Sequence, residues 1–361
     1  MTIYKLFRPL LFRLDAERAH RATIDLLKLR TGTAFTPEPP SAPSLEMRVA
    51  GLTFPNPVGL AAGFDKDAEV FEPMLSLGFG FVEVGTLTPR PQEGNPKPRL
   101  FRLAEDGAVI NRMGFNNKGQ ADALARLKKR YRTRGIVGVN IGANKDSADR
   151  IADYVAGVTR MSPVADYLTV NISSPNTPGL RNLQAGGELV ELLQAVRDAR
   201  MPNGPPRSRY AAGPQPATPP IFLKVAPDLE AGDHDRIVRA AGDNGIDALI
   251  VANTTISRPA LRSAQRGETG GLSGRPLKAR ALEQLRLFRS ASGGSIPLIA
   301  TGGIENADDA WDRIVAGASL VQLYSAMVYE GPGLAKRIAG GLAKRLRREG
   351  LASIADAVGS G

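Results

Sequence analysis

The sequence predicts an α/β protein whose main domain is a (β/α)8, or TIM, barrel with an N-terminal two-helix extension. Eight short apolar runs, several of them rich in β-branched residues, recur along about 300 residues, as expected for strands buried on both faces. Helical patterns separate most of these runs, which is typical of a parallel barrel. An open doubly wound sheet is the weaker alternative, because the chain has no G-x-G-x-x-G turn and no G-K-[ST] phosphate loop.

The predicted elements follow this alternation in order. The strands are expected at 58–62, 79–85, 136–141, 167–172, 221–225, 248–252, 297–300 and 320–324. Helical patterns lie between most of them, among others at 118–130, 188–197, 233–244, 277–290 and 307–316. Residues 45–361 are therefore predicted to form the barrel domain, with a hairpin-like stretch at 47–54 before the first strand. The segment 200–220, with seven Pro, is expected to be a surface insertion without chemistry.

Residues 1–44 are predicted to form an amphipathic helical pair and a linker. Pro9 predicts a kink or a late start of the first helix, and Asp15 is expected to cap a second helix that runs through Leu29 and can end at Gly32. The segment 36–44, rich in Pro and Ser, reads as the linker. One face of the first helix carries a stripe of Ile3, Leu6, Phe7, Leu10, Leu11 and Leu14. The pair either covers the barrel or lies on a membrane with its apolar face down.

The composition limits the chemistry that the protein can perform. The 361 residues include no Cys and two His, His20 and His234. Disulfides, thiolate metal sites, iron–sulfur ligation, a cysteine base and a His-rich metal site are excluded, and no metal is expected. Acid–base chemistry therefore falls to Ser, Thr, Lys, Tyr or carboxylates.

The charge and hydropathy patterns bear on location and partners. The formal net charge of +11 favours anionic partners without choosing among phosphate esters, carboxylates, nucleic acid and anionic lipid. No run approaches the roughly 18 apolar residues of a membrane span. Arg8, Pro9 and Arg13 interrupt what would be the apolar core of a secretory signal, so we expect an intracellular protein.

Polar side chains follow the predicted strands at their carboxyl ends, where barrels of this kind hold their active sites. Amides are frequent among them, and they offer donors and acceptors to a flat heterocycle with carbonyl and N–H groups. Gly302-Gly303 and Tyr324-Ser325, after the last two strands, lie where barrels commonly bind phosphate. FMN would fit both features. The amides are Asn111, Asn140, Asn171, Asn176 and Asn253.

Each of these signals has a plainer explanation when it is taken alone. A single Asn often caps a loop, Gly-Gly often forms only a turn, and lysines such as Lys66 and Lys224 are usually solvated. The convergence of many such residues on one rim favours a site.

Six motifs resemble those of one known family. They are AAGFDK at 61–66, EVGTLTPRPQ at 83–92, NRMGFNN at 111–117, NISSPNTPGLR at 171–181, FLKVAPD at 222–228 and GGLSGRP at 270–276. These motifs resemble dihydroorotate dehydrogenase, and in particular its membrane-associated, quinone-reducing class 2. The resemblance covers nearly the whole chain in order, including the N-terminal helices, and NISSPNTPGLR is its most specific motif.

The resemblance implies a role for each matching position. Ser174, the second of the serine pair and directly before Pro175, matches the catalytic base. Substrate-binding positions are matched by Lys66, Asn111, Arg112, Met113, Gly114, Phe115, Asn171, Asn176, Asn253 and Thr254. FMN-binding positions are matched by Ala62, Gly63, Phe64, Asp65, Lys66, Thr86, Asn140, Asn171, Lys224, Ala252, Gly274, Gly303, Tyr324 and Ser325. Quinone-site positions are matched by His20, Arg102 and Tyr324. Ala252 departs slightly, since related bacterial enzymes often have Thr there.

The implied reaction is the oxidation of (S)-dihydroorotate to orotate in de novo pyrimidine (UMP) biosynthesis, with FMN as the cofactor and a membrane quinone as the electron acceptor. A proton leaves C5 of the substrate, and Ser174 is the candidate base because this chain lacks the Cys that the class 1 relatives use. Thr177 or a water could relay the proton, and Lys224 could stabilise negative charge on the flavin. The plainer alternatives are a turn hydroxyl for Ser174 and a partly buried helix residue for His20.

Three other functions are weaker alternatives, and the first two require a Cys that this chain lacks. A soluble class 1 enzyme would need a Cys base and no N-terminal helices, and an FMN barrel that acts on tRNA would need a Cys acid. A basic peripheral membrane or nucleic-acid-binding protein would explain the charge but leave the polar rim unused.

The expected partners follow from the leading hypothesis. They are dihydroorotate or orotate, a membrane quinone and an anionic membrane surface, with no nucleic acid and no iron–sulfur partner subunit. We expect a monomer that binds peripherally to the cytoplasmic side of the cell membrane.

Overall fold

The computed structural model describes residues 3–29, 42–130, 135–184, 186–200 and 216–361. The predicted helix end at Gly32, most of the linker 36–44 and most of the insertion 200–220 lie outside these residues. Within the described residues, the strands are β1 (Met47–Val49), β2 (Leu52–Phe54), β3 (Val58–Leu60), β4 (Phe81–Leu87), β5 (Leu100–Leu103), β6 (Ala108–Asn111), β7 (Ile136–Ile141), β8 (Tyr167–Asn171), β9 (Ile221–Lys224), β10 (Ala248–Val251), β11 (Gly271–Gly274), β12 (Leu298–Thr301) and β13 (Ala318–Leu323). The helices are α1 (Ile3–Leu11), α2 (Ala16–Lys28), α3 (Phe71–Ser76), α4 (Gln120–Lys128), α5 (Arg150–Met161), α6 (Gly186–Asp198), α7 (Asp233–Asp243), α8 (Lys278–Ser292), α9 (Ala307–Val315), α10 (Ser325–Glu330) and α11 (Leu334–Glu349).

Eight parallel strands close into a barrel, so the predicted (β/α)8 architecture is confirmed. The closed order is β3, β4, β7, β8, β9, β10, β12 and β13, which is also their order along the chain. The eight predicted strands and the five named helical patterns agree with the observed elements to within two residues at each end. The predicted hairpin is also present, as the antiparallel pair β1 and β2.

A small antiparallel sheet outside the barrel was not identified from the sequence. It pairs β5 with β6 and β6 with β11, and so connects the loop after β4 to the loop after β10. Phe101, Ile110 and Leu272 bury their side chains in a separate apolar cluster on this sheet. The sheet therefore builds one wall of the space above the carboxyl ends of the barrel strands.

The N-terminal helices α1 and α2, hereafter the helical pair, form as predicted. The carboxylate of Asp15 accepts hydrogen bonds from the amides of Glu17 and Arg18, and this N-cap starts α2. Helix α1 begins before Pro9, so the expected late start is wrong. Contacts with the barrel hold α1 despite the missing amide, since the Tyr4 hydroxyl donates to the carbonyl of Val328 at 2.6 Å.

Aromatic rings fill the barrel where its strands begin. The rings of Tyr167 and Phe222 stack with centroids 4.5 Å apart, and Phe81 lies edge-on to both Tyr167 and Phe54. Gly138 on the neighbouring strand makes room for Tyr167, because an added Cβ would lie 2.0 Å from the ring. This aromatic layer closes the amino-terminal end of the barrel, so the interior opens only toward the carboxyl ends.

We predict that Gly138→Ala destabilises the barrel. The new methyl group would overlap Tyr167 in a layer with no free volume, which typically costs about 1–3 kcal/mol. Gly340→Ala is the matched control, because Gly340 lies exposed in α11 with nothing within 4 Å of an added Cβ. That control should stabilise the protein by about 0.5–1 kcal/mol. Thermal unfolding midpoints measure both effects, and a midpoint for Gly138→Ala at or above that of the wild type would contradict the assignment of this layer.

Candidate active site

A cavity of about 680 Å³ extends from the carboxyl ends of the barrel strands to the space beneath the helical pair. Its volume lies within the range of small-molecule and cofactor sites. Polar side chains of the barrel loops line one end, and apolar side chains of α1 and α2 line the other. The cavity thus joins the predicted polar rim to the predicted helical extension.

Most of the predicted site residues line this cavity together. Ser174 lines it, and so do His20 and Arg102, which were assigned to the quinone site alone. The other lining residues from the predicted sets are Ala62, Gly63, Phe64, Lys66, Thr86, Asn111, Met113, Gly114, Phe115, Asn171, Asn176, Lys224, Ala252, Asn253, Thr254, Gly274, Gly303, Tyr324 and Ser325.

Three predicted ligand-binding residues, Asp65, Asn140 and Arg112, do not line the cavity. Asp65 is buried in the loop after β3, where its carboxylate accepts the amides of Glu69 and Val70, and burial raises its pKa to about 6. Asn140 lies one layer deeper in the barrel. Arg112 turns away to form an ion pair with Glu268 at 2.7 Å. Of the three, Asn140 supports residues that line the cavity, because its side chain bonds those of Thr86 and Asn171.

A buried carboxylate, Glu83, orders the amides beneath the cavity. Its oxygens accept hydrogen bonds from Asn140 at 2.7 Å and Gln322 at 2.9 Å, and from the hydroxyls of Tyr167 and Thr169 at 3.1 Å. These four donors come from three strands. The sequence analysis assigned no role to Glu83, although a charged residue within an apolar strand run signals a buried partner network.

This network continues upward to the residues that line the cavity. Asn140 accepts from the Thr86 hydroxyl at 2.6 Å, and the Asn171 side chain donates to both Thr86 and Asn140. Asn171 also accepts from Ser173, whose hydroxyl in turn accepts from the Asn253 amide at 2.9 Å. The orientations of the Asn171 and Asn253 amides are therefore fixed by hydrogen bonds that lead down to Glu83.

Two lysines bring positive charge to the cavity and are not solvated surface residues. Lys224 is buried, and desolvation lowers its pKa although Glu83 acts in the opposite direction. The ammonium of Lys224 makes no hydrogen bond or ion pair with any described residue. Lys66 donates to the carbonyl of Gly63 at 2.9 Å, and burial lowers its pKa to about 8 while Glu17 and Asp67 oppose the shift. Both ammonium groups have donor capacity left for a ligand.

The loop after β8 brings Ser174 to the cavity wall. The Ser174 hydroxyl accepts the amide of Asn176 at 3.2 Å, which is the geometry of a serine turn. The turn and the proposed catalytic role are compatible, because the hydroxyl both caps the turn and faces the cavity. The hydroxyl of Thr177 is buried and has no hydrogen-bond partner among the described residues.

Glycines form the cavity wall next to β12 and β11. Gly303 has a φ of +70°, and a Cβ there would lie 2.4 Å from the Cα of Lys278 at the start of α8. The buried guanidinium of Arg313 keeps these two backbone segments close together, because it donates to the carbonyls of both Lys278 and Gly302. Backbone of this kind next to a helix start is a common place for a phosphate group in barrels.

Ion pairs dock the helical pair onto the barrel loops. Glu17 of α2 pairs with Arg99 at 2.6 Å. Glu69, in the loop after β3, accepts from Arg21 and Lys28 of α2 and from Lys118 of the barrel. Burial alone would raise the pKa of Glu69, but the hydrogen bonds from these three cations outweigh it and lower the pKa to about 2.

Aromatic contacts meet where the helical pair covers the cavity. The ring of His20 lies 5.2 Å from that of Phe64 and 6.3 Å from that of Tyr324. Burial and the nearby charge of Lys66 lower the pKa of His20 to about 3, so this imidazole is neutral near pH 7. Arg102 donates to the carbonyls of Leu11, Phe12 and Leu14 at the end of α1. The three predicted quinone-site residues thus share one end of the cavity.

The outer side of the helical pair is apolar and exposed. Phe7 and Leu10 expose 59% and 63% of their surface. Leu6, Leu11, Leu14, Leu26 and Leu29 are exposed as well. Within the described ranges, no helix has the length and apolar content needed to cross a bilayer.

The fold and the cavity together define a (β/α)8-barrel enzyme whose site lies at the carboxyl ends of the strands under a helical cover. Comparisons with known proteins identify it further. The family model described as dihydroorotate dehydrogenase matches residues 44–346. A protein named dihydroorotate dehydrogenase (quinone) from Novosphingobium aromaticivorans is 62% identical over the whole of both chains, and one of the same name from Erythrobacter litoralis is 60% identical over 99% of both.

Solved structures agree with these relatives. A crystal structure of the Eimeria tenella enzyme DHODH in complex with ferulenol has a TM-score of 0.88 and 42% identity, and it covers 96% of this chain and 95% of that one. The ligand-free Eimeria tenella structure has a TM-score of 0.87. The chain belongs to the dihydroorotate dehydrogenase family. Its place is among the quinone-dependent oxidoreductases of that family, so the resemblance seen in the six motifs is confirmed.

We predict that Glu69→Gln loosens α2 from the barrel. The neutral amide loses the attraction of three cations, so the backbone amides of 16–28 should exchange with deuterium several-fold faster at pH 7 than in the wild type. In the wild type, Glu69 stabilises the folded state at any pH above its unfolded-state pKa of about 4.3. This stabilisation is lost as the pH falls toward about 2, the pKa of Glu69 in the folded state, because the folded-state pKa is the lower of the two.

Asp25→Asn is the matched control. Asp25 pairs with the same Arg21 and Lys28 but lies on α2 itself, so its loss leaves the docking contact intact. Exchange in α8 serves as the internal reference. Equal exchange in α2 for the wild type and Glu69→Gln, measured by mass spectrometry, would show that Glu69 does not hold the helix.

Proposed function

We propose that this chain oxidises (S)-dihydroorotate to orotate in de novo pyrimidine biosynthesis and passes the electrons to a membrane quinone. The observation that carries the proposal is the single cavity, whose polar end suits a pyrimidine carboxylate and whose apolar end suits a quinone ring. Named relatives that match over their whole length support both substrates. A soluble class 1 enzyme, a tRNA-modifying barrel and a non-enzymatic binding protein are each less consistent with these whole-length matches.

Dihydroorotate dehydrogenases are flavoproteins in general, and we propose FMN as the cofactor of this chain. The fit rests on two observations of this structure. The glycine wall at Gly303, supported by Arg313, offers backbone to a phosphate, and the buried ammonium of Lys224 lacks a partner that a flavin carbonyl would supply. FMN, when bound, supplies the hydride acceptor for C6 of the substrate and the route of electrons to the quinone.

The chain's own residues would hold the substrate and remove its proton. Lys66 pairs with the substrate carboxylate, and the amides of Asn111, Asn176 and Asn253 fix the plane of the ring, since each lines the cavity with free donors or acceptors. The Ser174 hydroxyl accepts the proton from C5. The unpartnered hydroxyl of Thr177 supports its part in the onward relay, because a buried hydroxyl without a partner is costly unless a water or a reacting group uses it.

The quinone would enter between the helices of the pair. Neutral His20, the Tyr324 ring and the Arg102 guanidinium give this entrance one polar edge in an otherwise apolar channel. Arg102 already fixes the end of α1, which suggests that it holds the entrance open as well as contacting the quinone.

The exposed apolar residues of the helical pair would lie in the membrane surface. Exposed basic side chains such as Arg13 and Arg18 would contact anionic headgroups around them. Peripheral binding on the cytoplasmic side and a monomeric state remain predictions.

The experiment that tests the reaction is an anaerobic titration of the purified protein with dihydroorotate, followed by absorbance. The flavin band should bleach and then return on addition of a ubiquinone analogue. A colourless protein, or a band that dihydroorotate leaves unchanged, would contradict the proposed function.

In the same experiment, we predict that Ser174→Ala keeps its FMN. Reduction of that flavin by dihydroorotate should be about 10²–10⁴-fold slower than in the wild type, because a general base is lost. Ser174→Cys should recover part of the rate at high pH, where the thiolate forms. Ser292→Ala is the matched control, since Ser292 also caps a turn by accepting the amide two residues on, at 3.2 Å. Wild-type rates in Ser174→Ala would remove Ser174 from the mechanism.

We predict that the double substitution Phe7→Ser and Leu10→Ser releases the protein from lipid vesicles. The two side chains are among the most exposed apolar groups of α1, so their loss removes much of the area that can enter the bilayer. Co-sedimentation with vesicles of mixed neutral and anionic lipid measures binding. Leu287→Ser, at an exposed apolar position on α8, should bind as the wild type does, and equal binding of the double variant would exclude α1 as the anchor.

A further inference from the structure

Arg181 connects two loops of the site that the barrel itself does not connect. Its Nε donates to the carbonyl of Ser173, one of its terminal nitrogens donates to the carbonyl of Thr254, and the other pairs with Asp228. All three distances are 2.9 Å. Arg181 belongs to the NISSPNTPGLR motif, but neither the proposed reaction nor the ligand-binding set gives it a role.

Asp228 is the anchor of this arrangement. Besides Arg181, its carboxylate accepts the Thr255 hydroxyl and the amide of Ile256, and the guanidinium of Arg280 lies 3.3 Å away. Both partners of the pair are largely buried, with side-chain exposures of 19% for Arg181 and 12% for Asp228. A carboxylate with this many donors is held in one position, and it holds Arg181 in turn.

The two loops need such a connection because their strands are not neighbours. β9 lies between β8 and β10, so the strand ends are about 10 Å apart, at roughly 4.8 Å per strand. The strand pairing ends at Asn171 on β8 and at Val251 on β10. After β10, two further backbone bonds follow, from Ala252 to Thr301 and from Asn253 to Val225. Beyond these residues, the distance between the loops depends on the contacts that the loops make above the strands.

The connected backbone atoms are next to the residues that would do the chemistry. The carbonyl of Ser173 directly precedes Ser174, the proposed base, and the carbonyl of Thr254 belongs to a proposed substrate-binding residue. The Asn253 amide reaches back to the Ser173 hydroxyl, so the loops also touch on the cavity side. The planar guanidinium on the outer side and this amide on the cavity side together connect the loop of the base to the loop that holds the substrate.

We propose that Arg181 and Asp228 are positioning residues that place the Ser174 hydroxyl against the C5 proton of the bound substrate. The proposal rests on the roles proposed above for Ser174, Asn253 and Thr254. An arginine is required because its fork presents three donor directions in one plane, whereas the ammonium of a lysine is a point charge that cannot hold two carbonyls and a carboxylate in fixed directions. A displacement of about 1 Å at a reacting group can cost about 10²-fold in rate.

The test compares the two half-reactions of Arg181→Lys and Asp228→Asn by stopped-flow absorbance. Flavin reduction by dihydroorotate should slow about 10²-fold in each variant, while reoxidation by a ubiquinone analogue and FMN content stay at wild-type values. The double variant should be no slower than the slower single variant, because both substitutions break one unit. Orotate affinity, read from the shift of the flavin spectrum, should change much less than the reduction rate.

Arg126→Lys is the matched control. Arg126 also bonds a backbone carbonyl, that of Asp67, and a carboxylate, that of Asp122, but it does not line the cavity or connect the two loops. It should reduce its flavin at the wild-type rate. Reduction within twofold of the wild type in Arg181→Lys and Asp228→Asn would overturn the proposal. Equal losses in both half-reactions together with lost FMN would also overturn it, since they indicate a structural role only. Failure of the wild type itself to bleach would instead refute the proposed function.

Discussion

The site depends on one buried charge, the carboxylate of Glu83 at the centre of the barrel. A charge without hydrogen bonds would be too costly at that depth, so the strands around it supply donors. Two of those donors, Asn140 and Gln322, also accept hydrogen bonds from the cavity-lining residues Thr86 and Thr301. Asn140 is the clearest case, because its amide nitrogen donates to Glu83 while its oxygen accepts hydrogen bonds from the Thr86 hydroxyl and the Asn171 amide. The aromatic layer below and the cavity above are thus separated by a polar layer that orients the residues of the site.

Ion pairs help to join the helical pair to the barrel, while the outer side of the pair carries exposed apolar side chains. Glu17 and Glu69 carry the ion pairs on the inner side, and Phe7 and Leu10 are exposed on the outer side. This division lets one short extension cover the cavity and leaves an apolar side for the proposed contact with lipid.

The sequence predicted the barrel from one observation and most of the cavity lining from another. Short β-branched runs that alternate with helical patterns fix the strand order, and the carboxyl-end rule then places Asn171, Lys224 and Asn253 on one rim. The family resemblance placed Asp65, Asn140 and Arg112 among the ligand contacts. It could not show that their side chains turn toward backbone amides, a buried carboxylate or Glu268, since a loop residue's direction depends on partners far along the chain.

The sequence by itself determined the architecture, the absence of thiol chemistry and the family, because periodicity, composition and motifs are local properties of the chain. Only the tertiary structure decided that Glu83 orders the amides and that Arg181 joins the loops after β8 and β10. It also decided that the helical pair exposes Phe7 and Leu10 while other apolar side chains of the same helices line the cavity. Each of these depends on contacts between residues tens to hundreds of positions apart, and barrel closure is what creates them.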